Sequence, residues 1–195
     1  MVAADLDVRL LEDRPNLEVL QIDLEQDELP EAAFDLVHTR MLLLHLPGRE
    51  ALLGRLAAAL RPGGVLLLEE DDIHPVLATA SGPYLEAWWA FIGAMRRAGV
   101  DPEWALGVPE RLDAFGLVDV DAELRGQYFR GGSPTAAFWS LTWLQMRERI
   151  MATGTPGDVV DAGRAALADP VAGSRGRRPW PSGGGAPPRS APCEE

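Results

Sequence analysis

The run Val65–Glu70 (VLLLEE) constrains this chain more than any other stretch. Four consecutive aliphatic residues leave no polar side, which is the pattern of a strand covered on both faces in a parallel sheet. Just before it, Leu52, Leu53, Leu56, Ala57 and Leu60 recur at helical spacing through Arg49–Leu60. Arg61-Pro62-Gly63-Gly64 predicts the end of that helix, because proline cannot continue it and glycine supplies the dihedrals of a tight turn.

Upstream, Val2–Leu6, Leu17–Ile22 and Phe34–His38 read as short strands, with room for a short helix over Arg9–Arg14. Strands alternating with helical segments over the first seventy residues predict an α/β layered fold, an open doubly wound sheet. Farther on, Pro75–Val100 predicts a helix rich in aromatics, Pro109–Phe115 a short helix, and Leu117–Phe129 a strand with polar alternation. Pro134–Met151 predicts a longer aromatic helix, and Thr155–Asp169 a last one with Thr155 as N-cap ahead of Pro156. Residues 171–195 change character to Gly, Pro, Ser and Arg, a composition that cannot offset its own ordering entropy.

Composition excludes several chemistries. All 18 basic residues are Arg, so mechanisms that need a lysine amine are absent: a P-loop clamp, a pyridoxal Schiff base, a Tyr-Lys dehydrogenase pair. The net charge of −12 opposes nucleic-acid and anionic-membrane partners and favours small molecules. It divides into −14 over residues 1–170 and +2 over the tail. One cysteine, Cys193, permits neither a disulfide framework nor a cysteine zinc site, and no leader or membrane-spanning run is present, so the expected location is the cytoplasm. The acidic run Glu69–Asp72 reads as a solvated strand exit, and no metal site is expected.

Ligands of open α/β sheets sit beyond the carboxyl ends of the strands, so residues there carry the functional reading. Asp5, beside Leu6, ends the first strand, where a carboxylate can accept bonds from both hydroxyls of a ribose; an aspartate there also serves as an ordinary turn residue. Asp23 and Leu24 end the second, an acceptor beside an apolar residue, equally readable as part of the solvated loop with Glu25, Asp27 and Glu28. The third end is FDLVHTRMLLLHLP, followed at a helix's distance by LRPGGVLLLEE.

This succession resembles class I S-adenosylmethionine-dependent methyltransferases of the small-molecule type. The likeness runs over Val2–Glu70, and LRPGG before the apolar strand is its most recognisable signature. It implies a Rossmann-like sheet of order 3-2-1-4-5-7-6 and S-adenosyl-L-methionine as cofactor. By resemblance Asp5 and Leu6 hold the ribose, Asp23 and Leu24 border the adenine, and His38, Thr39 and Arg40 line the methionine end. His45 faces the same cleft, while a helical cap insertion, residues 74–108, brings Tyr84 and Trp88 to an uncharged or lipid-like acceptor, with Trp139 from the later helix. These aromatics also suit a helical core. No residue is assigned as catalytic, since His38 reads equally as a strand-end histidine bonded to backbone and methyl transfer from a sulfonium proceeds by alignment in a dry site.

Two departures accompany the likeness. The family's glycine-rich loop, expected about twenty residues ahead of Asp5, is not in the sequence, and the strand that carries it is central. Its absence leaves an interval of about 10 Å between neighbours. The family's last strand, strand 7, is likewise not found after Pro170, where a frameshift would account for the change of composition. The expectation is a partial methyltransferase domain over residues 1–170 with a disordered tail, 171–195, and no activity of its own. A noncatalytic interaction module and a piece of an NAD-dependent oxidoreductase are the alternatives.

Overall fold

The computed structural model describes residues 1–126 and 128–169, so the expectation for the 171–195 tail lies outside the described residues. Val2–Asp5 (β1) and Glu18–Gln21 (β2) pair in parallel, Val2 opposite Glu18 and Asp5 opposite Gln21. Phe34–Arg40 (β3) and Leu60–Glu69 (β4) form a second parallel pair, with His38 opposite Leu67 and Arg40 opposite Glu69. Parallel neighbours need a crossover, and helix Arg49–Ala58 (α1) supplies it between β3 and β4. Backbone N–H groups of Ala32, Ala33 and Phe34 bond to the carbonyls of Ala58 and Ala59, satisfying acceptors that the end of α1 leaves without helical partners. No ladder joins the two pairs among the described residues.

α1 covers one face of β3–β4. Leu52, Leu53 and Leu56 are buried with Leu43, Leu44, Val100 and Trp104, and Val37, Leu66 and Leu68 of the strands pack against them. Each such leucine contributes about 1.5–3 kcal/mol of burial. Strand side chains alternate between faces, so Leu36, Val65 and Leu67 point the other way and remain 57%, 58% and 47% exposed. Burial on both faces, expected for the VLLL run, is thus met on one face, because the described residues lay a helix on one side only.

The loop after β2 docks on the same layer. Arg55 donates to the carbonyls of Leu24 and Asp27, Gly48 N–H donates to Glu25 Oε1 at 2.9 Å, and Leu24 and Leu29 pack on the leucine cluster. Arg49 fastens the other side. Its guanidinium donates to the carbonyls of Leu43, Leu44 and Gly99, lies 3.5 Å from Asp101 and sits over the Trp104 ring, while Arg111 covers Trp104 at 4.2 Å.

Helices His74–Thr79 (α2), Gly82–Arg97 (α3), Val108–Ala114 (α4), Pro134–Met151 (α5) and Gly157–Ala168 (α6) follow among the described residues. α3, α5 and α6 pack on one another around Ala87, Trp88, Ile92, Trp143, Ile150, Val160 and Leu167. Gly163 is required there, since a Cβ at its position would collide with the Cβ of Ala87 and meet the Trp143 ring.

Several elements differ from the sequence reading. Pro75–Val100 is two helices, because Ala80 and Ser81 are extended ahead of Pro83. β4 begins at Leu60 and takes in the Arg-Pro-Gly-Gly turn, absorbed by an irregularity in register opposite Phe34–Leu36 with Gly63 at φ +80. α6 starts one residue later than expected, with Pro156 at the N-cap in place of Thr155. The Leu117–Phe129 strand is absent among the described residues: Asp119 sits at φ +55, which breaks an extended run. Val118, Leu124 and Tyr128 are exposed, so no buried face rewards pairing there.

Candidate functional site

β1 and β2 run side by side in register, so their exits lie at the same end of the pair. The Ile22 N–H donates to the Asp5 carbonyl at 3.1 Å, and Asp23 follows directly. Asp5 Oδ1 accepts from the Asp7 N–H and Asp23 Oδ1 from the Glu25 N–H, both at 2.9 Å. These are local turns of the kind aspartates make. In each case Oδ2 has no partner among the described residues, so one acceptor per carboxylate is open there to a hydroxyl or amino donor. Leu6 is exposed beside Asp5, whereas Leu24 packs into the leucine cluster.

At the exit of β3 the pleat divides the three residues of the His-Thr-Arg sequence. His38 and Arg40 share the open face, where His38 Nε2 lies 2.7 Å from Glu69 Oε1 and Arg40 Nε 3.9 Å from Glu69 Oε2. Thr39 points to the opposite side, is 7% exposed, and its Oγ1 has no hydrogen-bond partner. Beyond β3, Met41 takes φ +51 and the chain turns tightly through Leu43–His45. The Glu70 carboxylate holds that turn by accepting from the N–H groups of Leu42, Leu43 and Leu44 at 3.3, 2.9 and 3.2 Å. Three donors on one carboxylate fix the loop that ends in His45.

Asp71 follows at the exit of β4. Burial pushes its carboxyl above the usual carboxylate range, and the charges of His45 and Arg40 act against that shift. One residue on, Asp72 accepts from both the backbone N–H of His74, at 2.9 Å, and its ring Nδ1, at 2.7 Å. The exits of β3 and β4 thus bring Asp71 within reach of the charges of Arg40 and His45, with His38 on β3 and His74 on the loop that follows Asp71.

The aromatics expected to line an acceptor pocket lie together in the helical bundle. The Trp88 ring is 4.5 Å from that of Trp139 and 6.3 Å from that of Tyr84, and Trp143, fully buried, completes the cluster. Trp88 is 4% exposed, and the indole N–H groups of Trp88 and Trp143 find no acceptor. Burial raises the Tyr84 phenol above its ordinary value, and the nearby Trp88 indole, short of hydrogen-bond geometry, acts the other way. His45 is not part of this cluster.

A family model described as a methyltransferase domain matches residues 2–107, just over half of the chain. The chain belongs to the methyltransferase domain family. That membership carries an α/β Rossmann-like fold of the class I, S-adenosylmethionine-dependent kind. The chain is also similar to Methyltransferase str3 of Strobilurus tenacellus, 30% identical over 102 residues, which cover 50% of this chain and 37% of that relative. It therefore spans well under half the length of the relative it matches.

In this methyltransferase domain the partners of the expected residues were not visible in the sequence. Glu69 opposite His38 and Glu70 under the 42–44 turn depend on strand register and loop path, which spacing alone does not give. Asp72 and His74 are different, since an Asp two residues before a His at a helix start is a local signal. Among the described residues no group of three or more His, Cys, Asp or Glu is arranged to hold a metal ion, and no helix is long and apolar enough to cross a membrane.

Proposed function

We propose that this domain transfers a methyl group from S-adenosylmethionine to a small, uncharged or lipid-like acceptor. The observation that carries the reading is the common exit of β1 and β2, with Asp5 and Asp23 at one end of a parallel pair and one oxygen of each unengaged. Those acceptors fit the donors of an adenosine: Asp5 the ribose hydroxyls, Asp23 the adenine amino group with Leu24 behind the ring. His38 and Arg40 lie toward the methionine end with Glu69, whereas Thr39, turned into the leucine layer, supports that strand from behind. When bound, the cofactor supplies an electrophilic methyl on a sulfonium.

The two pairs β1–β2 and β3–β4 are adjacent strands of the order 3-2-1-4-5-7-6, residues 1–170 form the domain, and 74–108 is its cap. The acceptor lies against the cap between His45 and the side of the bundle carrying Tyr84, Trp88 and Trp139. The first glycine in the sequence is Gly48, so no residue up to the exit of β2 lets the backbone approach the cofactor as closely as a glycine-rich loop does. These 195 residues by themselves therefore hold the cofactor weakly and give little or no turnover. Saturation-transfer NMR of S-adenosylhomocysteine with the chain tests the assignment. Contact at millimolar ligand, lost in D5A and D23A, is the expected result. NAD contacts in its place, or contacts indifferent to both substitutions, overturn it.

A further inference from the structure

We propose that His74, oriented by Asp72, is the base that takes the proton from a hydroxyl acceptor. The inference rests on the methyl-transfer reading and adds a residue to it. Asp72 already completes a local turn with its bond to the His74 N–H. The second bond, to ring Nδ1, does something the turn does not need: with Nδ1 donating to a carboxylate, the neutral ring leaves Nε2 as a bare acceptor. Asp72 is well shielded, its side chain 15% exposed, while the His74 side chain is 47% exposed and its Nε2 has no partner among the described residues. A sheltered carboxylate behind a half-open imidazole is the arrangement of a positioned proton acceptor.

The loop that carries the pair is fixed at both ends. Glu70 is tied by three backbone donors to the 42–44 turn, and Ile73, 8% exposed, is set into the aromatic bundle. His74 therefore stands where the sheet exits meet the cap, three residues from Asp71, which faces His45 and Arg40. His38 is less suited to the task, because the carboxylate that holds its ring, Glu69, is itself 50% exposed, whereas Asp72 is 15% exposed. In the step, the acceptor oxygen loses its proton to Nε2 as its electron pair forms the O–CH3 bond; the S–CH3 bond breaks with its pair remaining on sulfur. The imidazolium, stabilised by Asp72, then releases the proton to water.

Long-range ¹H–¹⁵N NMR of the histidine rings in the 195-residue chain, with His74 assigned by H74Q, reads the arrangement without turnover. The neutral ring is expected as the Nδ1–H tautomer, reverting toward Nε2–H in D72N. Adding 4-nitrophenol as a hydroxyl probe, below its own ionisation, is expected to protonate the His74 ring and raise phenolate absorbance. Both responses are lost in H74Q and weakened in D72N. An Nε2–H tautomer, or nitrophenol responses unchanged in H74Q, overturns the proposal; the Nδ1–H tautomer with no response to nitrophenol likewise removes the base and leaves only an oriented pair. A His74 response in a chain whose S-adenosylhomocysteine contacts ignore D5A and D23A takes down the methyl-transfer reading while the proton acceptor stands.

Discussion

The helical bundle and the strand layer solve the same problem to different degrees. In the bundle, α3, α5 and α6 surround Trp143 and Ile150 until neither is accessible to solvent. In the strand layer, α1 seals one face of β3–β4 and leaves Leu36, Val65 and Leu67 open on the other. Packing density in the first region comes from large rings meeting edge to face, such as Trp88 and Trp143 at 5.7 Å and 85°. The second region is held by a single leucine layer and by side-chain bonds to loops. The difference teaches that stability and the candidate chemistry are separated: among the described residues the tightest packing is in the helical bundle, and the ionisable residues of the candidate site lie at the exits of the more open strand layer.

The largest effect that distinguishes the two regions is expected from W143A. Emptying a fully buried indole site costs about 3–5 kcal/mol, measured by urea denaturation, with loss of the near-ultraviolet circular dichroism of the bundle. A loss below 1 kcal/mol would mean the bundle is no better packed than the strands. Next, G163A forces α6 away from Ala87 and Trp143 and is expected to cost about 1–3 kcal/mol in the same assay. In the strand layer, E70Q removes the charge from the carboxylate that holds Leu42–Leu44 and is expected to cost about 1.5–3 kcal/mol, with faster amide exchange at those three positions as the local readout. The smallest change is expected from L67T on the open face, within about 0.5 kcal/mol. A larger loss would show that this face is covered in solution.

Acidity separates the regions by sign. Asp71 at the strand exits is raised by burial, so its protonated form is favoured by folding; that contribution is present at low pH and is lost as pH rises from the ordinary carboxylate range through the raised value. Asp161 in the bundle is lowered by its bond to Arg147, at 3.0 Å, so its contribution is present above the ordinary carboxylate range and lost as pH falls through the lowered value. D71N and D161N are therefore expected to change the slope of stability against pH in opposite directions, each by a small amount. Denaturation midpoints between pH 3 and pH 6 check this, and slopes altered in the same direction would contradict the two environments described.

Local signals carried much of this structure into the sequence. The helix read over Pro134–Met151 has those bounds in α5, with the Ser133 hydroxyl ahead of it accepting from the Ala136 N–H. Helix α1 follows the leucine spacing, and the first three strands fall within two residues of their apolar runs, whereas β4 begins five residues ahead of Val65. What depended on long-range pairing did not show. Leu117–Phe129 alternates as a strand should, yet no edge is offered to it. The Arg-Pro-Gly-Gly segment reads as a stop and is instead drawn into β4, because its partner Phe34 accepts it with a slipped register. At the candidate site, His38 was legible as a strand end, but its partner Glu69 required knowing which rungs of β3 and β4 face each other. The aromatic residues were legible as a group, and only the packing of three helices shows Trp88 to be inside it.

Arg49 has a consequence for how the molecule meets changing conditions. Its planar fork joins α1 to the chain leaving α3, and a guanidinium keeps its proton throughout the range in which proteins survive. Acid or base that alters the imidazoles and carboxyls at the strand exits thus leaves this cation in place, and α1 stays moored to the carbonyls of Leu43, Leu44 and Gly99.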